Sequence, residues 1–164
     1  MSRRVLLPLV LVLSTAPAAA DPRTDCFTKS GGDAIAACTR AIAQNPQDAV
    51  SYVNRAYEYF EAGDYARSVA DYSKALDLEP GRTDALQGRA WAYLKVGKAD
   101  LALADIDRSL QLQPNDARAH DARGHANEAL GRKQDAIADY RRALKSEPRM
   151  KGSQDGLKRL GETP

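Results

Sequence analysis

At 164 residues, 43% of them hydrophobic and 28% charged, the chain has single-domain length and enough apolar material for a core. Its 24 basic and 22 acidic residues nearly cancel, which argues against nucleic-acid binding, a function that needs a basic stripe or patch. The two cysteines and two histidines do not fall at the spacings of the familiar metal sites, and no metal is expected.

Met1 to Ala20 reads as a secretory signal peptide. Arg3 and Arg4 make a basic start, Val5 to Leu13 an apolar run broken by Pro8, and Ala18-Ala19-Ala20 a small-residue cleavage site. Asp21 is then the expected mature N-terminus, and the stretch 21–164 the single domain. The apolar run is shorter than the roughly 20 residues a bilayer needs, so no membrane insertion is expected after cleavage. Export follows, to the periplasm of a bacterial envelope or, alternatively, out of the cell.

Without Arg3 and Arg4 the chain is close to neutral, but its charge is uneven. Asp21 to Gly131 holds 13 basic and 17 acidic residues, whereas Arg132 to Pro164 holds 9 basic and 5 acidic. That polarity favours an acidic partner or head-to-tail self-association, unless the C-terminal charges simply coat a solvated face.

A short helix from Thr24 to Ser30 opens the domain, followed by a Ser30-Gly31-Gly32 break, Asp33 as N-cap, and a helix from Ala34 to Gln44 that stops before Asn45-Pro46. Cys26 and Cys38 lie equidistant from Gly32 and so face one another across a helical hairpin; in an exported protein they are expected to form a disulfide. The stretch 25–46 makes a shortened unit, and three longer units of equal length follow: 47–80, 81–114 and 115–148. Their registers are marked by Gly63, Gly97 and Gly131 and by Pro80, Pro114 and Pro148. A period of this size marks a helix-turn-helix unit stacked into a solenoid.

First helices are predicted over 48–62, 83–96 and 116–130, each ended by its glycine; second helices over 65–79, 99–113 and 133–147, each stopped by its proline. Small residues recur at Ala56, Ala90 and Gly124, at Ser68, Ala102 and Ala136, and at Ala75, Ser109 and Ala143. Large ones stand between them at Tyr59 and Tyr93, at Tyr72, Ile106 and Tyr140, and at Leu76, Leu110 and Leu144. The third unit departs at His120, Asn127 and Ser146, where its counterparts carry large apolar residues; this weakening is expected of an end repeat exposed to water. The stretch 149–164 forms a capping tail with a short helix from Ser153 to Leu160, Leu157 and Leu160 inward, made marginal by Gly156.

These residues resemble the tetratricopeptide repeat family. The match runs through Tyr52, Ala56, Tyr59, Tyr72, Ala75 and Pro80, then Leu86, Ala90, Tyr93, Ala102, Ile106 and Pro114, then Gly124, Ala136, Tyr140, Ala143 and Pro148. The resemblance implies an all-α fold, a right-handed α-solenoid of antiparallel helix pairs with one short half-repeat, three full repeats and a C-terminal capping helix. It also implies a concave surface built from first helices that binds another protein or a peptide.

On that surface the resemblance brings Asn54, Tyr57 and Phe60, then Gln87, Trp91 and Leu94, then His125. Tyr57, Phe60, Trp91 and Leu94 are the candidate anchors of a peptide groove, although Tyr57 and Trp91 could equally serve to pack neighbouring first helices. Some family members clamp a C-terminal carboxylate with a Lys and an Asn. The matching positions here hold Val53 and Tyr57, then Gln87 and Trp91, so that clamp is not expected.

Arg55, Arg89 and Arg123 recur with Asp71, Asp105 and Asp139, each aspartate at the same offset from its arginine. Structural ion pairs between helices or units are the favoured reading, because every arginine has its aspartate; the alternative is a surface for acidic ligands. No nucleophile–base constellation or Gly-rich phosphate loop is present, so neither catalysis nor a cofactor is expected. The sequence thus reads as a non-catalytic adaptor, the alternative being a repeat protein that stacks end to end through its acidic and basic halves.

Overall fold

The computed structural model describes residues 21–164, and the expected signal peptide lies outside the described residues. Among the described residues there are nine helices and no strand: α1 (Pro22–Thr28), α2 (Gly31–Gln44), α3 (Ala49–Glu61), α4 (Tyr65–Leu78), α5 (Thr83–Lys95), α6 (Ala99–Leu112), α7 (Ala117–Ala129), α8 (Lys133–Ser146) and α9 (Lys151–Arg159). They form an all-α solenoid of antiparallel pairs.

The punctuation has a simple cause. Gly63, Gly97 and Gly131 take φ of +78°, +73° and +72°, a region where a side chain is strained. The left-handed residue lets the next amide reach back over the helix end: Asp64 N donates to Tyr59 O at 2.8 Å, and Lys98 to Tyr93 and Arg132 to Asn127 at 2.9 Å. Second helices end on Glu79, Gln113 and Glu147, which are held out of helical geometry by the proline that follows.

Two starts differ from expectation. Asp21 caps α1 by accepting from Arg23 N, so that helix begins at Pro22. The second helix of the short unit starts at Gly31 behind Ser30, and Asp33 is not its cap but a first-turn residue, its carboxylate near the positive end of the helix.

The two central apolar clusters each draw on a hairpin and on the first helix of the next unit. Ala49 and Ala56 of α3, Tyr72, Ala75 and Leu76 of α4, and Ala85 and Leu86 of α5 form one; α5, α6 and α7 form a second. What one hairpin leaves open the next covers, which is why no unit is independent. Successive first helices also touch one another, whereas successive second helices do not, so the first helices lie on the inner side of the curve.

The C-terminal helix corrects the sequence reading. First helices begin at Ala49, Thr83 and Ala117, and α9 begins at Lys151, one further repeat length along, so it continues their series in register. Leu157 stands where the full repeats have Arg55, Arg89 and Arg123, and is buried against Ile137 and Tyr140. Gly156 does not mark a marginal helix; it is buried, and a methyl group there would overlap the Tyr140 ring. Its value is close approach, which offsets the roughly 1 kcal/mol that glycine costs a helix.

His120 and Asn127 are likewise not concessions to water, being only 8% and 6% exposed. Asn127 Nδ2 donates to Asp139 Oδ2 at 3.0 Å, and a His120 ring nitrogen meets Pro114 O at 2.9 Å. Asn127 thereby helps satisfy a carboxylate sunk in the third unit, where an unpaired acceptor would be expensive.

Candidate functional site

On the inner face the repeat places a second-helix side chain beneath a residue of the following first helix, at one constant offset in sequence. This creates four junctions with different contents. Between α1 and α3, Cys38 is bonded to Cys26, and Asn54 lies over the bridge with Nδ2 4.0 Å from Cys26 Sγ. Between α5 and α7, Ile106 and Ala122 are both fully buried and fill the space. Between α7 and α9, Tyr140 lies under Gly156 and donates to Glu128 Oε2 at 2.7 Å, while Arg159 grips the same carboxylate at 2.9 and 2.8 Å.

The α3/α5 junction differs from the other three in holding, among the described residues, an open apolar recess above Tyr72. Tyr72 forms its floor, Gly88 leaves room for the ring, and Tyr57, Phe60, Trp91 and Lys95 complete a hollow of 360 Å³. Tyr57 is 52% exposed, an unusual position for an aromatic residue with no further helix to cover it. Burial, with Asp84 nearby, pushes the Tyr72 hydroxyl up, so it is neutral throughout the physiological range. Larger hollows of 680 and 630 Å³ lie where the α6–α7 turn meets the end of α8, and are lined by polar groups such as Asn115 and Ser146.

The candidate groove residues therefore separate. Tyr57, Phe60 and Trp91 converge on the recess. His125 adjoins it through Trp91, with ring centroids 5.2 Å apart, and meets Tyr140 edge-on at 5.3 Å. Burial pushes the His125 imidazole down, against the pull of Asp121, so the ring is uncharged at neutral pH. Leu94 is partly buried and packs on the core of α5, α6 and α7.

Asn54 belongs to the disulfide junction, not to the recess. Gln87 is not a groove residue: it is buried, and its amide donates to Ser109 Oγ at 3.0 Å and to Asp116 Oδ2 at 2.8 Å. That carboxylate belongs to the N-cap of α7, so Gln87 ties one unit to the start of the next. Sequence reasoning places Tyr72 in the core and leaves out Gly88. The available signal is the pair Tyr72/Gly88 and its counterpart Tyr140/Gly156, which share one spacing.

The arginines occupy the junctions between second helices. Arg55 holds Asp71 with Nε and Nη2 at 2.7 and 2.8 Å, Arg89 holds Asp105 with both at 2.7 Å, and Arg123 holds Asp139 at 3.0 and 2.8 Å. In each case Nη1 reaches, at 3.0 Å, a residue of the preceding second helix: Thr39, Ser73 and Asp107. One guanidinium thus joins its own hairpin to its neighbour. These bonds raise the three guanidiniums further above their ordinary value, and with all three arms engaged little is left for an acidic ligand.

Among the described residues no group of three His, Cys, Asp or Glu side chains is placed to hold a metal ion. The α3/α5 recess offers an apolar floor and walls with room for a group of side-chain size.

Family models of the tetratricopeptide repeat match residues 37–70, 59–126 and 117–149, a continuous run through more than half of the chain. Protein SGT1 homolog of Bos taurus is 42% identical over 53 residues, 32% of this chain and 16% of that protein. The chain thus spans only a small part of the curated relatives it matches. Among solved structures, the first TPR of Spaghetti (RPAP3) bound to the HSP90 peptide SRMEEVD is 28% identical with a TM-score of 0.67, covering 70% of this chain and 91% of that one. The second TPR domain of human RPAP3, in complex with the HSP70 peptide SGPTIEEVD, is 27% identical with a TM-score of 0.65, covering 70% of this chain and 96% of that one. Sequence matches from residue 37 to 149, on a solenoid of the same architecture, place the chain in the tetratricopeptide repeat family.

Proposed function

We propose that the protein is a non-catalytic adaptor that binds a peptide segment of another protein on its concave face, with the α3/α5 recess as the anchoring point. The observation that carries this reading is the open recess of Tyr57, Phe60, Tyr72 and Trp91, since interface energy concentrates in aromatic-lined pockets that a partner closes off from water. At 360 Å³ it stands at the low end for small-molecule sites and suits one inserted side chain. The peptide complexes of the two RPAP3 domains support the class of partner.

The mode of binding differs from a C-terminal carboxylate clamp. Val53 is partly buried against the core and Gln87 is committed to Asp116, so neither position offers a free donor for a chain end. Export to a bacterial envelope belongs to the same proposal. It is supported by the character of residues 1–20 and by a buried disulfide, a bond that persists in oxidising compartments. Self-stacking through the basic end is the second reading: Arg141, Arg142 and Arg159 are engaged by Glu162, Asp139 and Glu128 of the same chain, and the recess, not the charged ends, carries the first.

A Tyr57→Ala, Trp91→Ala double variant tests the adaptor reading. With helical content and thermal unfolding preserved, it should lose at least tenfold in affinity for a peptide selected on the wild type, roughly the loss of one hot spot. Undiminished binding by the folded variant contradicts the reading.

A further inference from the structure

The geometry points to a cation as the group the recess takes: the guanidinium of an arginine side chain on the partner, stacked among Tyr57, Phe60 and Trp91 and donating a hydrogen bond to the Tyr72 hydroxyl. The inference rests on the adaptor reading above and adds the chemistry of the partner's anchor.

Tyr72 and Tyr140 are equivalent floors whose hydroxyls differ. Tyr140 spends its own on Glu128 Oε2 at 2.7 Å. Tyr72 is only 4% exposed, yet among the described residues nothing meets its hydroxyl, which lies beneath Gly88 in the recess. A polar atom so deep calls for a partner from outside the chain. The surrounding charge decides which kind. Burial first, then Asp84, Tyr57 and Glu61, push this hydroxyl up, so both ionised side chains acting on it are carboxylates. Each stands one helical turn from a recess residue, Glu61 from Tyr57 and Asp84 from Gly88. Arg82 holds Asp84 at 2.7 Å, whereas Glu61 is exposed and has no ion-pair partner among the described residues. Lys95, at the edge, acts on His125 and not on Tyr72, and His125 is uncharged at neutral pH. The floor therefore sits in a negative field, and its oxygen is set to accept from a positively charged donor.

The aromatic walls narrow the choice of cation. A guanidinium is planar, weakly hydrated and able to stack on an aromatic face while its edge donates hydrogen bonds. A lysine ammonium holds its water more tightly, and a quaternary ammonium has no N–H for the Tyr72 oxygen. The same pairing occurs inside the chain, where the Arg67 guanidinium lies 4.4 Å from the centre of the Tyr59 ring. An inserted arginine that gives one N–H to Tyr72 keeps others for Glu61 at the mouth. Because the anchor is a side chain, no free chain end is needed.

Selection from a library of short random peptides displayed with both ends fused tests this. Selected sequences are then titrated as acetylated, amidated peptides, with the emission of Trp91 as the readout; it is the single tryptophan of the chain and lies in the recess wall. The expected result is enrichment of arginine and a change of Trp91 emission on binding. Replacing that arginine by citrulline, its uncharged isostere, should weaken binding by about tenfold or more. Tyr72→Phe keeps the ring and, with thermal unfolding unchanged, should lose about tenfold. Glu61→Gln should lose about two- to fivefold, and Lys95→Glu should gain a similar factor. Peptides that change Trp91 emission without an arginine preference, or that bind Tyr72→Phe and Glu61→Gln as tightly as the wild type, overturn the ligand assignment and leave the adaptor reading intact. Selected peptides that bind without changing Trp91 emission, or no selection at all, overturn both.

Discussion

The α3/α5 and α7/α9 junctions share one framework and end differently. In both, a tyrosine of a second helix lies beneath a glycine of the following first helix, Tyr72 under Gly88 and Tyr140 under Gly156. At α7/α9 the space above is closed by Glu128, which takes the Tyr140 hydroxyl and two bonds from Arg159. At α3/α5 the position equivalent to Glu128 is Phe60 and the one equivalent to Arg159 is Trp91, so no ion pair spans the mouth and it stays apolar and open. The backbone arrangement is thus neutral toward binding. Whether a junction becomes a recess or a closed seam is set by one or two side chains above the aromatic floor.

Breaking a second closed junction, α1/α3, should have the largest effect. Cys26 is the one buried residue of α1, so Cys26→Ser with Cys38→Ser should lower stability by about 3 kcal/mol and free that helix, as read by denaturant unfolding and amide exchange. Gly156→Ala comes next. Tyr140 is fully buried and pinned by Glu128, so the added methyl should cost about 1–3 kcal/mol in the same unfolding measurement. Gly88→Ala presses on the tip of Tyr72 at an open surface, so it should cost less than Gly156→Ala while abolishing ligand-induced change at Trp91. Arg159→Ala should cost about 0.5–1 kcal/mol, the worth of a partly exposed pair, and leave peptide affinity at the recess unchanged.

The smallest effect is that of pH, and it too separates the junctions. The Arg159 bond holds the Glu128 carboxyl below its ordinary value, and burial holds the His125 imidazole below its own ordinary 6.5. In both cases the unfolded chain takes up protons first. Stability is therefore full above the ordinary values and falls as pH drops through the lowered ones. Thermal unfolding should weaken from pH 8 toward pH 4, with α9 amides losing protection before those of α4 and α5. His125→Gln should flatten the upper part of that slope.

Much of this architecture is legible in residue spacing. The glycine and proline registers locate the helix ends because left-handed backbone and a missing donor are local effects that tertiary context does not override. The Arg55–Asp71 spacing and its two copies point to pairs for the same reason: both partners repeat together. Gln87 shows what spacing cannot reach, since its fate depends on the carboxylate of Asp116, an N-cap in the next unit whose side chain turns back toward it. Asn127 looks like a polar defect in a row of apolar residues, and only the buried Asp139 explains it. Gly156 is judged by helix propensity in the sequence and by the Tyr140 ring in the structure, and the ring wins. The recess is half visible in the sequence: its walls stand out as aromatics on the first helices, but its floor is indistinguishable from core.

The central claim is that a partner enters at α3/α5 and not at α7/α9. A photo-crosslinking amino acid placed at position 57, and in a second protein at position 128, tests it against a peptide selected on the wild type. Crosslinking from position 57 with none from position 128 is the predicted result. Equal crosslinking from both, or crosslinking from position 128 alone, contradicts it.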